Sequence, residues 1–150
     1  MAIDIKLIKQ LREETQVSIA DCTKALTEAK GDYEIAIQLL KKRGIERAEK
    51  KSDRTTGQGL VEAYIHQNGK VGVLLEILCE TDFVARTEDF KKLAHEVAMQ
   101  IAAMNPSGVS ALLKQDYIRD GSVNIETLIK QTIGKLGENI VVKQFTRFEI

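Results

Sequence analysis

Asn68-Gly69 stands between two apolar runs, Leu60 to Gln67 and Lys70 to Leu78. An Asn-Gly pair so flanked is the strongest short-range signal for a β-hairpin, because both residues tolerate the left-handed backbone of a type I′ turn. Val71, Val73, Leu75 and Ile77 alternate with a period of two, which gives the return strand one buried face. The tail from Asn139 to Ile150 is rich in β-formers and is expected to complete a three-stranded sheet. Between these strands the period changes. Phe90, Leu93, Ala94, Val97, Ala98 and Ile101 repeat at spacings of three and four, predicting a long helix from about Thr87 to Met104 that ends at Asn105-Pro106. A loop-rich stretch to Ser122 follows. Asn124 then caps a helix with Ile125, Leu128, Ile129, Thr132, Ile133 and Leu136 on one face and Gly137 as its stop.

The first half reads as three short helices. Ile5, Leu7, Ile8 and Leu11 give the first an apolar face. Ser18 followed by Asp21 is a start signal for the second, whose inner residues are Ile19, Cys22, Leu26 and Ala29. Asp32 is the expected N-cap of the third, with Ile35, Leu39 and Leu40 inside and Gly44 as its stop after Lys41, Lys42 and Arg43. Residues 45–56 then form a charged helix or linker, and Gly57 and Gly59 break the pattern. The expectation is an α+β chain of two units: residues 1–54, a helical bundle with its charged linker, and residues 55–150, a three-stranded antiparallel sheet packed with helices.

Composition narrows the function. At 150 residues a sizeable core is possible, and 43 % apolar with 29 % charged residues is globular rather than disordered. Lys+Arg and Asp+Glu stand at 22 each, so net charge directs the chain neither to nucleic acid nor to an anionic membrane. No apolar run approaches the ~18–20 residues of a membrane span, and the N-terminus lacks a signal-peptide core. Cys22 and Cys79 suit a reducing cytosol, so a cytoplasmic protein is expected.

Several motifs dissolve on inspection. His95-Glu96 opens a zinc-protease pattern, but Met99 stands where the second imidazole is required, so His95 is an ordinary helix-surface residue. Neither cysteine belongs to a CxxC pair; both read as small buried hydrophobes. No phosphate-binding glycine loop, metal-ligand set or nucleophilic triad can be assembled, so no catalytic residue, metal or cofactor is expected. The basic segment Lys41–Arg54 contains Glu46, Glu49 and Asp53 and lacks aromatics for base stacking, which favours a solvated face over RNA binding.

Glu80-Thr81-Asp82-Phe83-Val84-Ala85-Arg86 is the informative stretch, because it joins a buried strand to a long helix. In one reading Thr81 caps a helical turn and Phe83 is core. In the other an acid and an aromatic project together from a rigid junction, suited to insertion into a partner's pocket.

The segment ETDFVA after the strand VGVLLEILC resembles the signature of the elongation factor Ts family. Collinear likenesses extend over most of the chain: LREET at Leu11–Thr15, DCTKAL at Asp21–Leu26, GDYEIAIQLLKKRG at Gly31–Gly44, YIHQNGKVGVL at Tyr64–Leu74, MQIAAMNP at Met99–Pro106 and KLGENIVVKQFTRFE at Lys135–Glu149. The resemblance implies a UBA-like three-helix N-terminal unit and the family's core. It also implies guanine-nucleotide exchange on elongation factor Tu, in its GDP-bound and nucleotide-free forms, without covalent chemistry. Thr81, Asp82, Phe83 and Val84 would then act near the partner's Mg²⁺ site, with Phe83 entering an apolar pocket. Leu11, Val17, Ile19 and Ala20 would dock the bundle on the GTPase, and His66 and Gly137 would touch its other domains.

Three departures accompany the likeness. Gln16-Val17-Ser18-Ile19-Ala20 replaces a family segment with two partner-touching methionines, so Ile19 and Ala20 stand in their places. The chain carries one core copy, without the helical hairpin of long members. Residues between Pro106 and Asp116 are fewer than in most short members. A single core copy also implies a homodimer, in which a two-fold pair restores the second half, with Phe145, Phe148 and Ile150 of the last strand as apolar material. The competing reading is a UBA-like peptide- or protein-binding adaptor without exchange activity, which leaves the Asp-Phe pair and the GENI segment without a role.

Overall fold

A computed structural model describes residues 2–150. Helices α1 (Ile5–Thr15), α2 (Ile19–Glu28) and α3 (Tyr33–Glu49) come first. Strands β1 (Gln58–Ile65) and β2 (Val71–Cys79) follow, then α4 (Asp82–Ala85), α5 (Glu88–Met104) and α6 (Val109–Lys114). The chain ends with β3 (Asp116–Tyr117), β4 (Asp120–Asn124), α7 (Ile125–Leu136) and β5 (Val141–Glu149). The architecture is α+β, with an antiparallel sheet in the order β1-β2-β5 and a small β3-β4 ribbon.

Helix starts follow their caps. The side chains of Ser18, Asp32, Thr87 and Asn124 accept the backbone N–H groups of Asp21, Ile35, Phe90 and Thr127 at 3.2, 3.0, 3.2 and 2.8 Å, which removes one orphan donor from each first turn. Leu11, Cys22, Ala25, Leu26, Ala36 and Leu40 close the core of the first three helices. In the sheet, Val73, Leu75 and Ile77 face inward onto Phe90, Ala94, Val97 and Ile101 of α5, and Ile125, Ile129 and Ile133 of α7 complete the second core.

The third helix does not stop at Gly44. It continues to Glu49, because the glycine is a packing residue rather than a cap. Gly44 lies against Gly134 of α7, so close that a Cβ on Gly134 would stand 2.6 Å from the Gly44 Cα. The two backbones can meet only because Gly134 has no side chain, and α3 runs on until Ala48 enters the second core. The two apolar clusters therefore adjoin within α3, between Leu40 and Ala48.

The hairpin also differs from the type I′ expectation. Asn68 is absent from the residues with positive φ, whereas Gly69 has φ +71°. The Gly69 N–H donates to the His66 carbonyl at 2.7 Å, and the His66 N–H donates to the Val71 carbonyl at 2.9 Å. The result is a longer loop with glycine in the left-handed position, stiffened by the Asn68 side chain, which accepts the Lys70 N–H at 3.1 Å. Strand β1 ends at Ile65, so His66 and Gln67 belong to the loop.

The stretch expected to be loop-rich holds α6 and the β3-β4 ribbon. Both are tertiary products. Gln100 of α5 is fully buried; its amide donates to the Asp116 carbonyl at 3.0 Å, and its oxygen accepts the Ile118 N–H at 3.0 Å. Glu96 beside it accepts the Tyr117 hydroxyl at 2.9 Å and Arg119 Nε at 2.7 Å.

The glycine crossing gives an asymmetric prediction. Gly134→Ala forces backbone apart and should cost about 1–3 kcal/mol. Gly44→Ala points its new methyl at 3.8 Å from Gly134 Cα, an ordinary contact. It should be neutral or stabilise by up to about 1 kcal/mol through helix propensity. Urea midpoints of the two variants check this; a wild-type midpoint for Gly134→Ala would show the crossing to be loose.

Candidate functional site

Strand β2 leaves the core at Cys79, which is fully buried and donates its Sγ–H to the Thr81 carbonyl at 3.1 Å. Burial pushes the Cys79 thiol pKa up, so the group stays protonated and suited to this donation. Thr81 then caps the single turn of α4, its Oγ1 accepting the Val84 N–H at 3.3 Å. Thr87, which caps α5, donates its hydroxyl to the Val84 carbonyl at 2.8 Å. Val84 and Ala85 are inserted in the core, each 5 % exposed. Thr81, Asp82 and Phe83 are left outside.

Phe83 is 82 % exposed, although it is one of the largest apolar side chains in the chain. Its ring contributes little to the fold, so the core reading of this residue fails. The Asp82 carboxylate lies beside it and pairs with Arg86 at 2.5 Å along the outer side of the turn. Val84, expected to act with these residues at a partner's metal site, is buried here and anchors the turn in the core.

The turn is braced from a distant part of the chain. Helix α7 ends at Gly137, whose φ of +81° reverses the chain as only glycine does readily. Glu138 follows. Its Oε1 accepts the N–H groups of Glu80 at 3.1 Å and Thr81 at 2.9 Å, and its Oε2 accepts the Thr81 hydroxyl at 2.7 Å. Hydrogen bonds to a charged acceptor are about twice as strong as neutral ones. Asn139, 3 % exposed, turns the other way and donates to the carbonyls of Ser52 at 3.4 Å and Arg54 at 3.0 Å. The Lys51 ammonium donates to the Gly137 carbonyl at 2.9 Å, and Arg54 lies 3.7 Å from Glu80. Glu138, Asn139 and Arg86 were not singled out as site residues from sequence. A helix stop followed at once by an acid and an amide, ahead of a β-run, was the available signal.

The remaining expected residues are dispersed. Gly137 sits beside the turn through Glu138. His66 is exposed in the hairpin loop, at the opposite end of β2, a strand of 9 residues, from Thr81. On the helical bundle Ile19 is 54 % exposed, Ala20 is exposed and Val17 is half-buried, so these three share an accessible edge between α1 and α2. Ile19 also borders a shallow apolar groove with Ile5 and Ile8 of α1. Leu11 is different. It is fully buried in the first core, where it packs among the three helices.

Among the described residues no cluster of three or more His, Cys, Asp or Glu is arranged to hold a metal, and no helix is long and apolar enough to cross a membrane. His95 lies on the outside of α5 at 3.8 Å from Glu62, as an ordinary surface histidine.

Comparison with known proteins gives one answer throughout. The family described as Elongation factor TS matches residues 80–150, the half that contains the braced turn and its brace. A protein of Coprothermobacter proteolyticus named Elongation factor Ts is 43 % identical over 195 aligned positions, covering 100 % of this chain and 99 % of the relative. A Thermotoga maritima protein of the same name is 42 % identical, covering 100 % and 97 %, and one from Rippkaea orientalis is 45 % identical, covering 97 % and 77 %. The alignments exceed the 150 residues here, so these relatives carry positions that this chain lacks. With identity of this order along its whole length, on top of the turn and the Gly-Glu-Asn segment that braces it, the chain belongs to the elongation factor Ts family.

Proposed function

We propose that the chain is a guanine-nucleotide exchange factor for elongation factor Tu. It binds the GDP complex, disturbs the Mg²⁺ and phosphate site and promotes GDP release during translation elongation. The observation that carries this reading is the exposure of Phe83 on a turn fastened from both flanks. An aromatic presented on fixed backbone enters a pocket with little ordering cost. Asp82 beside it brings negative charge toward the groups that hold the metal, and Thr81 keeps the pair aimed outward. No bond is made or broken. A partner that weakens nucleotide binding must itself be weakened to the same degree by nucleotide, so the factor favours the nucleotide-poor GTPase and shifts populations toward it.

In this proposal residues 1–54 are the docking unit, through Ile19, Ala20 and Val17, and residues 55–150 carry the exchange turn. His66 and the Gly137 backbone add contacts to the partner's other domains. Phe83→Ala should leave the urea midpoint nearly unchanged, within about 0.5 kcal/mol. It should weaken binding to nucleotide-free GTPase by about ten- to a hundredfold, as expected for losing a buried ring of roughly 1.5–3 kcal/mol. Phe90→Ala, in contrast, should cost about 3–5 kcal/mol of stability. Asp82→Asn should reduce stimulated GDP release more than complex affinity. Fluorescent-GDP release from elongation factor Tu is the measurement, and the absence of any stimulation by the unaltered chain would refute the function.

The proposal includes a homodimer. The outward face of the sheet carries Val61, Leu74 and Phe148, which are 66, 52 and 71 % exposed, and register places them on one side. A contiguous apolar sheet face is a common mark of association. Phe145 is on the other side, packed against the core, so Phe148 and Ile150 remain as the exposed apolar residues at the end of the chain. Light scattering should report twice the 16.7 kDa chain mass, and Leu74→Glu should shift it toward the monomer. A monomeric mass for the unaltered chain with exchange intact would overturn the dimer.

A further inference from the structure

We infer that Glu138 is a positioning residue for the exchange turn, and that Gly137–Asn139 form a clasp fastening that turn to the linker at residues 51–54. The inference rests on the exchange reading above and gives it a second set of determinants that touch no partner.

The amides of Glu80 and Thr81 lie where β2 has ended and α4 has not begun. A sheet or helix would have supplied their acceptors; here one carboxylate supplies both, with Oε1 at 3.1 and 2.9 Å. The second oxygen accepts a hydrogen bond from the Thr81 hydroxyl at 2.7 Å, which leaves the Thr81 oxygen lone pairs free to accept the Val84 N–H. A single carboxylate therefore fixes both the path of the chain into the turn and the rotamer of its cap. Phe83 is two residues further on and, at 82 % exposure, lacks packing that would orient it independently. Its direction is inherited from the backbone that Glu138 holds.

The neighbours of Glu138 face the linker. The Gly137 carbonyl accepts Lys51, the Asn139 amide donates to the carbonyls of Ser52 and Arg54, and Arg54 returns to Glu80 at 3.7 Å. Three consecutive residues thus seat two separate segments of chain against each other. The linker continues α3, so the helical bundle and the Phe83 turn share one fastening point.

Loss of Glu138 leaves Val84 and Ala85 in the core, so the turn stays attached while its entry becomes mobile. The ring still reaches its pocket, but the productive geometry is populated less often. Misplacement on the scale of 1 Å can cost on the order of a hundredfold in a positioned step, so the effect belongs in kcat. A residue that only supplied affinity would act on KM.

The test uses the full chain carrying Glu138→Ala or Glu138→Gln, with two readouts. The first, amide hydrogen exchange of Glu80 and Thr81, needs no partner. It should accelerate at least tenfold in Glu138→Ala, and Glu138→Gln, which keeps one acceptor oxygen, should restore most of the protection. The second is GDP release from elongation factor Tu at varied factor concentration. Here kcat should fall about tenfold or more for Glu138→Ala and by a smaller factor for Glu138→Gln, with KM changed less than about threefold. Unchanged amide exchange, or wild-type kcat in folded variants, overturns the inference. If Glu138→Ala does not fold, Glu138→Gln decides alone by the same kcat criterion. If the unaltered chain fails to stimulate release, the exchange reading falls, and amide protection still reports whether the clasp exists.

Discussion

Helices α3 and α7 cross with their backbones in contact because Gly134 has no side chain: a Cβ there would stand 2.6 Å from the Gly44 Cα. Much else depends on the crossing. It allows α3 to run past its own bundle, sets Ala48 into the second core and delivers Lys51 to the carbonyl of Gly137. From there residues 52–54 pass within reach of Asn139, and the Gly137–Asn139 segment meets the turn at Thr81. Widening the crossing would shift each of these in turn, because interiors packed to crystal density transmit displacement rather than absorb it.

The regular and irregular parts of the molecule are held by different chemistry. Apolar periodicity builds the helices and the inner face of the sheet. Segments without a period are held by buried or partly buried polar side chains that supply acceptors and donors in place of a ladder. Gln100 does this for the β3-β4 ribbon, Asn139 for the linker and Glu138 for the turn at Thr81. A buried amide or carboxylate is costly when unpaired, so each such residue fixes its segment in one arrangement.

This division explains what could be read from the sequence. Caps at Ser18, Asp32 and Asn124 act on residues three positions away, and their local patterns predicted the helix starts correctly. The inner face of β2 and the face of α5 were legible for the same reason. Gly44 was misread because a glycine after three cations looks like a helix end, while its actual partner lies on another helix. The hairpin loop was misread by its type, since Asn68 uses its side chain on Lys70 rather than its backbone in a left-handed turn. At the site, Asp82 and Phe83 were visible as an outward pair. Glu138 was not, because its donors are 57 and 58 residues distant in sequence. Leu11 and Val84 are buried in the free chain, and likeness of motif does not distinguish a residue that touches a partner from its buried support.

The continuity of α3 has a consequence for the strength of the proposed grip. The helix has 17 residues and spans about 25 Å as a stiff rod. A flexible tether between two binding patches dilutes the second patch within the volume its slack explores. A rod pinned at Gly44 and fastened again at Asn139 removes that slack. In the proposed complex, once the bundle had docked, the turn would stand at a high effective concentration near its target, and both patches would engage or release nearly together. Dissociation of that complex would then be a single concerted event, whose rate would respond to damage at either end of the rod.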